Sequence, residues 1–317
     1  MAENGVRQWL VSDAEAGQRL DNFLLRIMKG VPRSHIYKIL RSGEVRVNKG
    51  RVRPHYHLAL GDVLRLPPLR VAEPSDPAVL PPHLRAQLEA AVLYEDAHLL
   101  VLDKPSGLAV HGGSGLSWGI IEALRQLRPD ARELELVHRL DRDTSGCLIL
   151  SKKRSALRAL HEAIRQGQMD KQYLALAAGD WKGEARSVRL PLRKNTLQSG
   201  ERMVRVDPNA GKPAHTRFLP LERFSGAVLL EAQLDTGRTH QIRVHLQAIE
   251  HAVAGDEKYG DVLFNQRMRA LGLRRLFLHA AMIGFQHPQD QRWMRIEAPL
   301  PPVLDHLLGQ LRSEPRK

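Results

Sequence analysis

The chain has 317 residues, 43% of them hydrophobic, which is enough for one large domain and one small domain with ordinary buried cores. Its net charge of +13 favours a polyanionic partner, either nucleic acid or an anionic membrane, over a neutral metabolite. No apolar run approaches the roughly 18 residues that a bilayer-spanning helix needs, and no signal peptide is recognisable, so the expected location is the cytoplasm.

The positive charge is concentrated between Arg19 and Arg70. This segment contains 12 lysines and arginines and three acidic residues, which gives a local charge of +9. Its first apolar residues have helical spacing and predict one helix. These residues are Leu20, Phe23, Leu24 and Ile27. Ser34 can cap a second helix, which Gly43 would end.

Alternating residue types at 44–47 predict a strand, followed by a turn at 48–50 and a return strand near Val52. The order helix, helix, hairpin resembles that of S4 domains, a small αβ fold. The resemblance implies a module that grips structured RNA through its phosphates. The cations assigned to this RNA-binding face are Arg33, Lys38, Arg41, Arg46 and Lys49. The alternative is a generic small αβ domain with a solvated basic surface.

A proline-rich stretch separates this unit from the rest of the chain. Six of the 19 prolines lie between residues 67 and 82, and proline-rich chain of this kind is extended and semi-rigid. We therefore expect an N-terminal lead-in at 1–18, the small domain at 19–70, a linker at 71–90 and a large domain at 91–317.

The large domain alternates strand-like and helix-like runs, which predicts an α+β fold. The predicted strands cover 98–102, 134–137, 173–177 and 228–232, and the predicted helices cover 118–127 and 155–165. The single cysteine, Cys147, begins an apolar run and is expected to be buried, without a redox or metal role. The 15 histidines are scattered without the spacing of metal ligands, so no metal site is expected.

Two clusters of reactive side chains lie in the large domain. Residues 138–146 contain two aspartates between predicted strands, where a rigid scaffold can display catalytic groups, although turns use the same residue types. Residues 236–245 combine arginines and histidines with apolar positions. An arginine of the second cluster in contact with an aspartate of the first would lower the pKa of that carboxyl group and keep it charged.

Several motifs resemble, in order along the chain, those of RluA-type pseudouridine synthases. They are the runs 137–141, 144–146, 171–175 and 237–243, with further matches at 104–108, 255–260 and 278–280. Runs at 110–117, 152–157 and 197–202 are similar to a family member that modifies several uridines of 23S ribosomal RNA. The resemblance covers nearly the whole chain. It implies a pseudouridine synthase fold, with a mixed, largely antiparallel central sheet, flanking helices and an RNA cleft, beside a small S4 domain.

The resemblance also implies the chemistry, an isomerisation of uridine in which the base detaches from the ribose, rotates and rejoins through C5. This reaction needs neither a cofactor nor a metal. By family position, Asp141 is the catalytic carboxylate and Arg243 its ion-pair partner. Tyr173 is the residue that stacks on the uracil and the candidate to relay the proton lost from C5. Arg139 is the candidate to fill the place of a flipped-out base, and its alternative role is a phosphate contact. The remaining assigned RNA contacts are His138, Arg238 and His240.

The expected partner is 23S ribosomal RNA or a large-subunit assembly intermediate, with no membrane, and a monomer is usual for the family. Whether Asp141 attacks C1′, attacks C6 or removes a sugar proton stays open.

Two other classes of function are alternatives. A G-x-S-x-G pattern at 115–119, followed by Asp141 and His240, also occurs in serine hydrolases, but no predicted strand leads directly into Ser117. A non-catalytic RNA-binding protein would use the S4 unit and keep the large domain as a scaffold.

Overall fold

The computed structural model describes residues 6–13, 15–28, 31, 33–68, 80–112, 118–196 and 202–314. The chain divides into two compact units, Met1–Val79 and Leu80–Lys317, which are treated separately. Residues 71–79 of the predicted linker and 115–117 of the hydrolase-like pattern lie outside the described residues. Within the described ranges, no helix is both long and apolar enough to cross a membrane.

The first unit consists of two helices and a three-stranded sheet. Its elements are β1 (Arg7–Leu10), α1 (Leu20–Ile27), α2 (Arg33–Ser42), β2 (Arg46–Val47) and β3 (Val63–Leu66). β3 lies between β1 and β2 and is antiparallel to both. On α1, Leu20, Phe23 and Leu24 are fully buried in the core of the unit, as their helical spacing predicts.

The sheet of this unit differs from the prediction in two places. β1 lies in the segment expected to be a lead-in, where Trp9 packs edge-on against Phe23 with 5.5 Å between the ring centroids. The strand that pairs with β2 is β3, and not the predicted strand near Val52. Asn48 stabilises this pairing, since its side-chain oxygen accepts the backbone N–H of Val63 and its own N–H donates to the Val63 carbonyl, both at 2.9 Å.

The second unit contains the large sheet, a two-stranded hairpin and six helices among its described residues. The elements are α3 (Pro82–Ala90), β4 (Val92–Glu95), β5 (Leu99–Lys104), α4 (Ile120–Leu127), β6 (Glu135–Leu136), β7 (Ser145–Ser151), α5 (Arg154–Arg165), β8 (Asp170–Ala178), β9 (Arg186–Val188), β10 (Leu192–Thr196), β11 (Arg202–Val206), β12 (Thr216–Phe224), β13 (Ala227–Leu234), α6 (Gln241–Ala248), α7 (Val262–Ala270), β14 (Leu278–Gln286), β15 (Trp293–Glu297) and α8 (Pro302–Ser313).

The large sheet has ten strands in the described part of the chain. Its main path runs β4, β5, β7, β14, β8, β13, β12, β9, while β6 pairs with β7 and β15 pairs with β14. Of the paired strands, β7 and β14 run parallel and the others antiparallel. The predicted α+β fold with a mixed, largely antiparallel sheet is confirmed.

α3 occupies the C-terminal part of the predicted linker, and it belongs to the second unit. Leu84 and Leu88, one turn apart, are buried in the core of that unit together with Leu80. Pro82 is the first helical residue, a position at which the missing N–H of proline costs no hydrogen bond. The last prolines of the stretch therefore begin a helix instead of extending the linker.

Side chains alternate between the two faces of the large sheet. On β7, Leu148 and Leu150 pack in the same layer as Tyr173, whereas Cys147 and Ile149 pack on the opposite face with α5. Cys147 is buried, as predicted, and burial raises the pKa of its thiol to about 12.

Candidate active-site cleft

A cleft of about 550 Å³ opens on the face of the sheet that carries Tyr173. Its walls come from β8, from the loop between β6 and β7, and from the loop between β13 and α6. The residues assigned from the sequence that line it are Arg139, Asp141, Tyr173, Arg238, His240 and Arg243. The fold thus brings together side chains that are as many as 104 positions apart along the chain.

Asp141 lies in a turn between β6 and β7. Its backbone carbonyl accepts a hydrogen bond from the N–H of Thr144 at 3.2 Å, so the segment is a turn, as its composition indicated. Its side chain is 20% exposed and lines the cleft. The turn hydrogen bond thus stabilises the loop, and the loop places the Asp141 carboxylate in the cleft.

β7 begins directly after this turn, beside the parallel strand β14. Gly146 has a φ of +106°, and a β-carbon at this position would lie 2.2 Å from the carbonyl oxygen of Ala280. Glycine is therefore required where the two strands meet. This close approach determines where the Asp141 turn leaves the sheet.

The buried side chain of Lys104 anchors the same turn. Its Nζ donates hydrogen bonds to the carbonyl oxygens of Pro105, Leu108 and Arg142 at 2.9, 2.7 and 2.9 Å. Burial lowers the pKa of Lys104 to about 7, but three carbonyl acceptors need the three N–H groups that only the ammonium form has. The loop after β5 and the Asp141 turn are tied together through this one cation.

We expect Lys104→Met, which keeps the length of the side chain, to lower the free energy of unfolding by about 1–3 kcal/mol, because buried carbonyl oxygens lose their donor. Urea denaturation measures the change. Lys182→Met, at an exposed lysine of the same unit, is the matched control and should change stability by less than about 0.5 kcal/mol. Equal midpoints for both variants would contradict an anchoring role for Lys104.

Arg243, which was predicted to pair with Asp141, has a closer partner. Its Nε and Nη2 donate to the two carboxylate oxygens of Asp256 at 2.6 and 2.7 Å. Its Nη1 is 3.9 Å from Oδ2 of Asp141. The guanidinium therefore binds Asp256 in a bidentate manner through Nε and Nη2, and its remaining nitrogen, Nη1, faces Asp141.

Asp256 is fully buried and fixes the orientation of Arg243. Its Oδ1 also accepts the backbone N–H groups of Lys258 and Tyr259, at 2.9 and 3.0 Å. Burial alone would raise the pKa of Asp256, but the hydrogen bonds and charge of Arg243 outweigh burial and lower it. Burial also opposes the charge of Arg243, and Asp256 nevertheless raises the pKa of the guanidinium. Both groups are charged over the whole physiological range of pH.

Tyr173 lies on β8 in the middle of the sheet and is 9% exposed. Burial, and then the negative charge of Asp141, raise the pKa of its phenol. The hydroxyl group is therefore protonated at neutral pH, and the ring offers the cleft a neutral aromatic surface.

His240 lies between Asp141 and a residue to which the sequence assigned no role. Its Nε2 is 3.8 Å from Oδ2 of Asp141, and its Nδ1 is 2.8 Å from the hydroxyl of Tyr259. Asp256 and Tyr259 are the two functional candidates that sequence reasoning missed. Both lie in the motif at 255–260, so the signal was present, but the motif does not reveal which side chains it faces.

The cations assigned to RNA contact differ in their surroundings. Arg139 and Arg238 are exposed at the cleft, and Arg238 donates from Nε to the carbonyl of Pro213 at 3.1 Å. His138 has an internal partner, since its Nε2 accepts the backbone N–H of Ile149 at 3.1 Å. Burial lowers the pKa of His138 to about 4, so its ring is neutral at physiological pH.

In the first unit, four of the five assigned cations have described side chains, and all four are exposed: Lys38, Arg41, Arg46 and Lys49. The side chain of Arg33 lies outside the described residues. Arg41 and Arg46 each donate from Nε to a backbone carbonyl, those of Tyr37 and Gly43, at 3.2 Å.

One group of possible metal ligands occurs among the described residues, with ligand atoms of Asp96, His98 and His287 within 4.8 Å of one another. Nε2 of His287 is 2.9 Å from Oδ2 of Asp96, and the hydroxyl of Tyr94 donates to the same oxygen at 2.9 Å. These contacts account for the group as a hydrogen-bond network. None of its members lines the cleft at Asp141.

This chain is similar in sequence to two known protein families and to named bacterial proteins. The family model for RNA pseudouridylate synthase matches residues 98–248, and the model for the S4 domain matches residues 18–64. A protein of Pasteurella multocida (strain Pm70), named ribosomal large subunit pseudouridine synthase C, is 57% identical over 311 residues, covering 98% of this chain and 95% of that protein. The protein of the same name in Escherichia coli (strain K12) is 58% identical over 303 residues, 94% of each chain.

A solved structure is also similar to much of this chain. The human protein RNA pseudouridylate synthase domain containing 4 has a TM-score of 0.61 and 28% sequence identity, and the match covers 74% of this chain and 98% of that one. The first family match includes Asp141, Tyr173 and Arg243, so these residues of the cleft lie within the similar region.

Proposed function

The chain belongs to the family of RNA pseudouridylate synthases, isomerases that convert uridine in RNA to pseudouridine, and from this premise we propose that Asp141 is its catalytic carboxylate and large-subunit ribosomal RNA its substrate. The observation that supports the catalytic assignment best is the setting of Asp141, in a cleft with donors of His240 and Arg243 at 3.8 and 3.9 Å. The names of the bacterial relatives support the substrate.

The reaction breaks the bond between N1 of uracil and C1′ of ribose and forms a bond between C5 and C1′, after which C5 loses its proton and N1 gains one. A carboxylate beside the sugar can stabilise the positive charge that develops at C1′ or add covalently, as carboxylates do in glycoside cleavage. Asp141 supplies this group, and Arg243 supplies positive charge next to it. The ring of Tyr173, whose hydroxyl group is protonated, lines the same cleft and can stack on the uracil while the base turns over.

Arg139 is proposed to enter the RNA stack after the target uridine has flipped out. Its side chain is exposed and lines both the cleft at Asp141 and a second, larger cleft of about 2000 Å³. That second cleft also contains Arg142, Lys258, Arg269, Arg274 and Arg275. Although acidic residues line this cleft as well, its lysines and arginines suit an RNA backbone that continues away from the flipped nucleotide.

The S4 unit is proposed to add affinity for RNA without taking part in the reaction. We expect a variant with four substitutions to raise KM roughly 10- to 100-fold and to leave kcat nearly unchanged. The substitutions are Lys38→Ala, Arg41→Ala, Arg46→Ala and Lys49→Ala. The slope of log affinity against log salt should fall by about one for each phosphate that the variant no longer neutralises. Steady-state kinetics and filter binding at several salt concentrations measure both effects.

The matched control removes four exposed cations at α5, on the face of the sheet opposite Tyr173: Lys153, Arg154, Arg158 and Arg165. This variant loses the same charge but should keep its KM within about threefold. Equal losses in the two variants would mean that the S4 cations act only through net charge.

The substrate is tested with purified protein and ribosomal RNA from cells that lack the gene. Mass spectrometry of nuclease digests should detect new pseudouridine in 23S RNA and none in 16S RNA. Modification of another RNA alone would contradict the proposed substrate, and binding without modification would support a non-catalytic protein. We also propose that the protein acts as a monomer in the cytoplasm on the RNA or on an assembly intermediate, with residues 19–70 for RNA binding and 91–317 for catalysis.

A further inference from the structure

Tyr259 lies behind the cleft and has two hydrogen-bonding neighbours. It is 3% exposed, and its hydroxyl oxygen accepts the backbone N–H of Val204, on β11, at 2.9 Å. The same hydroxyl is 2.8 Å from Nδ1 of His240. Its ring also contacts Arg243, whose guanidinium carbon is 5.0 Å from the ring centroid.

These contacts favour one protonation form of His240. The Tyr259 oxygen already accepts a hydrogen bond from the backbone N–H of Val204, which leaves the single hydroxyl proton of Tyr259 to be donated to Nδ1 of His240. An Nδ1 that accepts a hydrogen bond carries no proton, and a neutral imidazole must then carry its proton on Nε2. Burial lowers the pKa of His240, and the charges of Arg243 and Lys258 act in the same direction against Asp141 and Asp256, which favours the neutral ring.

The protonated nitrogen is the one that faces the proposed catalytic carboxylate. Nε2 of His240 and Nη1 of Arg243 approach the same oxygen of Asp141, Oδ2, at 3.8 and 3.9 Å. Among the described residues, neither oxygen of Asp141 has a donor within hydrogen-bond distance, and the two nearest donors both lie on the side of Oδ2. Oδ2 is thus flanked by two donors, which leaves Oδ1 for the substrate.

We propose that His240 is a positioning residue for Asp141: Tyr259 holds its ring in the Nε2–H form, and this N–H secures Oδ2 so that Oδ1 is the oxygen that reacts with the nucleotide. The inference rests on the proposed catalytic role of Asp141. Active-site hydrogen bonds commonly tighten only in the substrate complex, and we expect the distance of 3.8 Å between Nε2 and Oδ2 to shorten in the same way.

The backbone conformation of His240 provides a way to test this positioning role. His240 precedes α6 with a φ of 54° and a ψ of 20°, the left-handed conformation that non-glycine residues rarely adopt. Asparagine tolerates this conformation better than glutamine does. A purely structural residue here would be best replaced by asparagine, whereas a donor aimed at Asp141 requires the longer reach of glutamine.

This contrast gives the test in activity. We expect His240→Gln, whose amide nitrogen reaches the position of Nε2, to keep kcat within about tenfold of the parent. His240→Asn, which offers an oxygen to Tyr259 but no donor at the distance of Asp141, should lose kcat roughly 100-fold with KM nearly unchanged. The reverse order, with Asn more active than Gln, would overturn the proposal.

A second measurement does not depend on activity. In protein labelled with nitrogen-15 at histidine, the His240 resonances should report a protonated Nε2 and an unprotonated Nδ1 at neutral pH, and Tyr259→Phe should shift the ring towards a mixture of forms. Tyr94→Phe removes a hydroxyl that bonds Asp96 outside the cleft, and should leave the His240 signals unchanged. A proton on Nδ1 in the parent protein would overturn the inference even if Asp141 proves essential. An active Asp141→Asn variant would instead overturn the proposed function.

Discussion

Replacement of Asp141 by asparagine is expected to lower pseudouridine formation by about 10⁴-fold or more while the protein stays folded. Asparagine has nearly the same shape but no negative charge, so it can neither stabilise a positive sugar nor add to the nucleotide as a carboxylate does. Single-turnover assays with excess protein over RNA measure the chemical step directly, and circular dichroism verifies the fold.

The matched control for this change is Asp130→Asn, at an exposed aspartate between α4 and β6. Asp130 lines neither the cleft at Asp141 nor the second, larger cleft. Its replacement should change the single-turnover rate by less than about threefold. RNA binding by Asp141→Asn should be as strong as that of the parent, because a negative charge is removed near the phosphates. A slow rate that came only from weak binding would argue against a chemical role.

Replacement of Asp256 by alanine should be the most destabilising single change among the residues around Asp141. It leaves the guanidinium of Arg243, whose side chain is 7% exposed, without its two-pronged partner. Breaking a buried ion pair from one side costs about 3–5 kcal/mol of the free energy of unfolding. Chemical denaturation measures this loss, and the rate of pseudouridine formation should fall with it because Arg243 loses its fixed position.

The double variant Arg243→Met and Asp256→Leu separates these two effects. It removes both charges and fills the space with apolar groups, so it should recover the part of the stability that Asp256→Ala loses through the unpaired charge of Arg243. The N–H groups of Lys258 and Tyr259 still lack their acceptor, so the recovery should be partial. Pseudouridine formation should be at least as slow as in Asp256→Ala, since the cation of Arg243 beside Asp141 is gone. Recovery of activity with stability would mean that Arg243 serves the fold alone.

The stabilisation that Asp256 gives to the folded protein depends on pH. The pKa of Asp256 is lower in the folded protein than in the unfolded chain, because the hydrogen bonds and charge of Arg243 outweigh burial. Its stabilisation is therefore complete above the unfolded pKa of about 3.9 and is lost as the pH falls through the lower folded value. The stability difference between the parent and the double variant should narrow only under acidic conditions.

The sequence was informative where a motif is continuous along the chain. Asp141, Tyr173 and Arg243 each lie in a short run that could be matched, and the cleft brings them together. The strands and helices around them were predicted to within a few residues by the period of their apolar positions.

The remaining features depend on contacts between distant segments, which no local pattern specifies. The sequence pointed to Asp141 as the partner of Arg243, but the bidentate partner is Asp256 because the loop after Gly255 folds back onto α6. Likewise, the pairing of β2 with β3, and not with a strand near Val52, is stabilised by contacts between Asn48 and the distant Val63. Such pairings appear only when the chain is folded.

The central proposal, that Asp141 catalyses pseudouridine formation in large-subunit ribosomal RNA, is tested most directly by mapping pseudouridines in 23S RNA from cells without the gene. Cells are complemented with either the parent gene or the Asp141→Asn variant, expressed at equal levels. We predict that specific pseudouridines disappear on deletion, return with the parent gene and stay absent with the variant. An unchanged map on deletion, or full restoration by Asp141→Asn, would contradict the proposal.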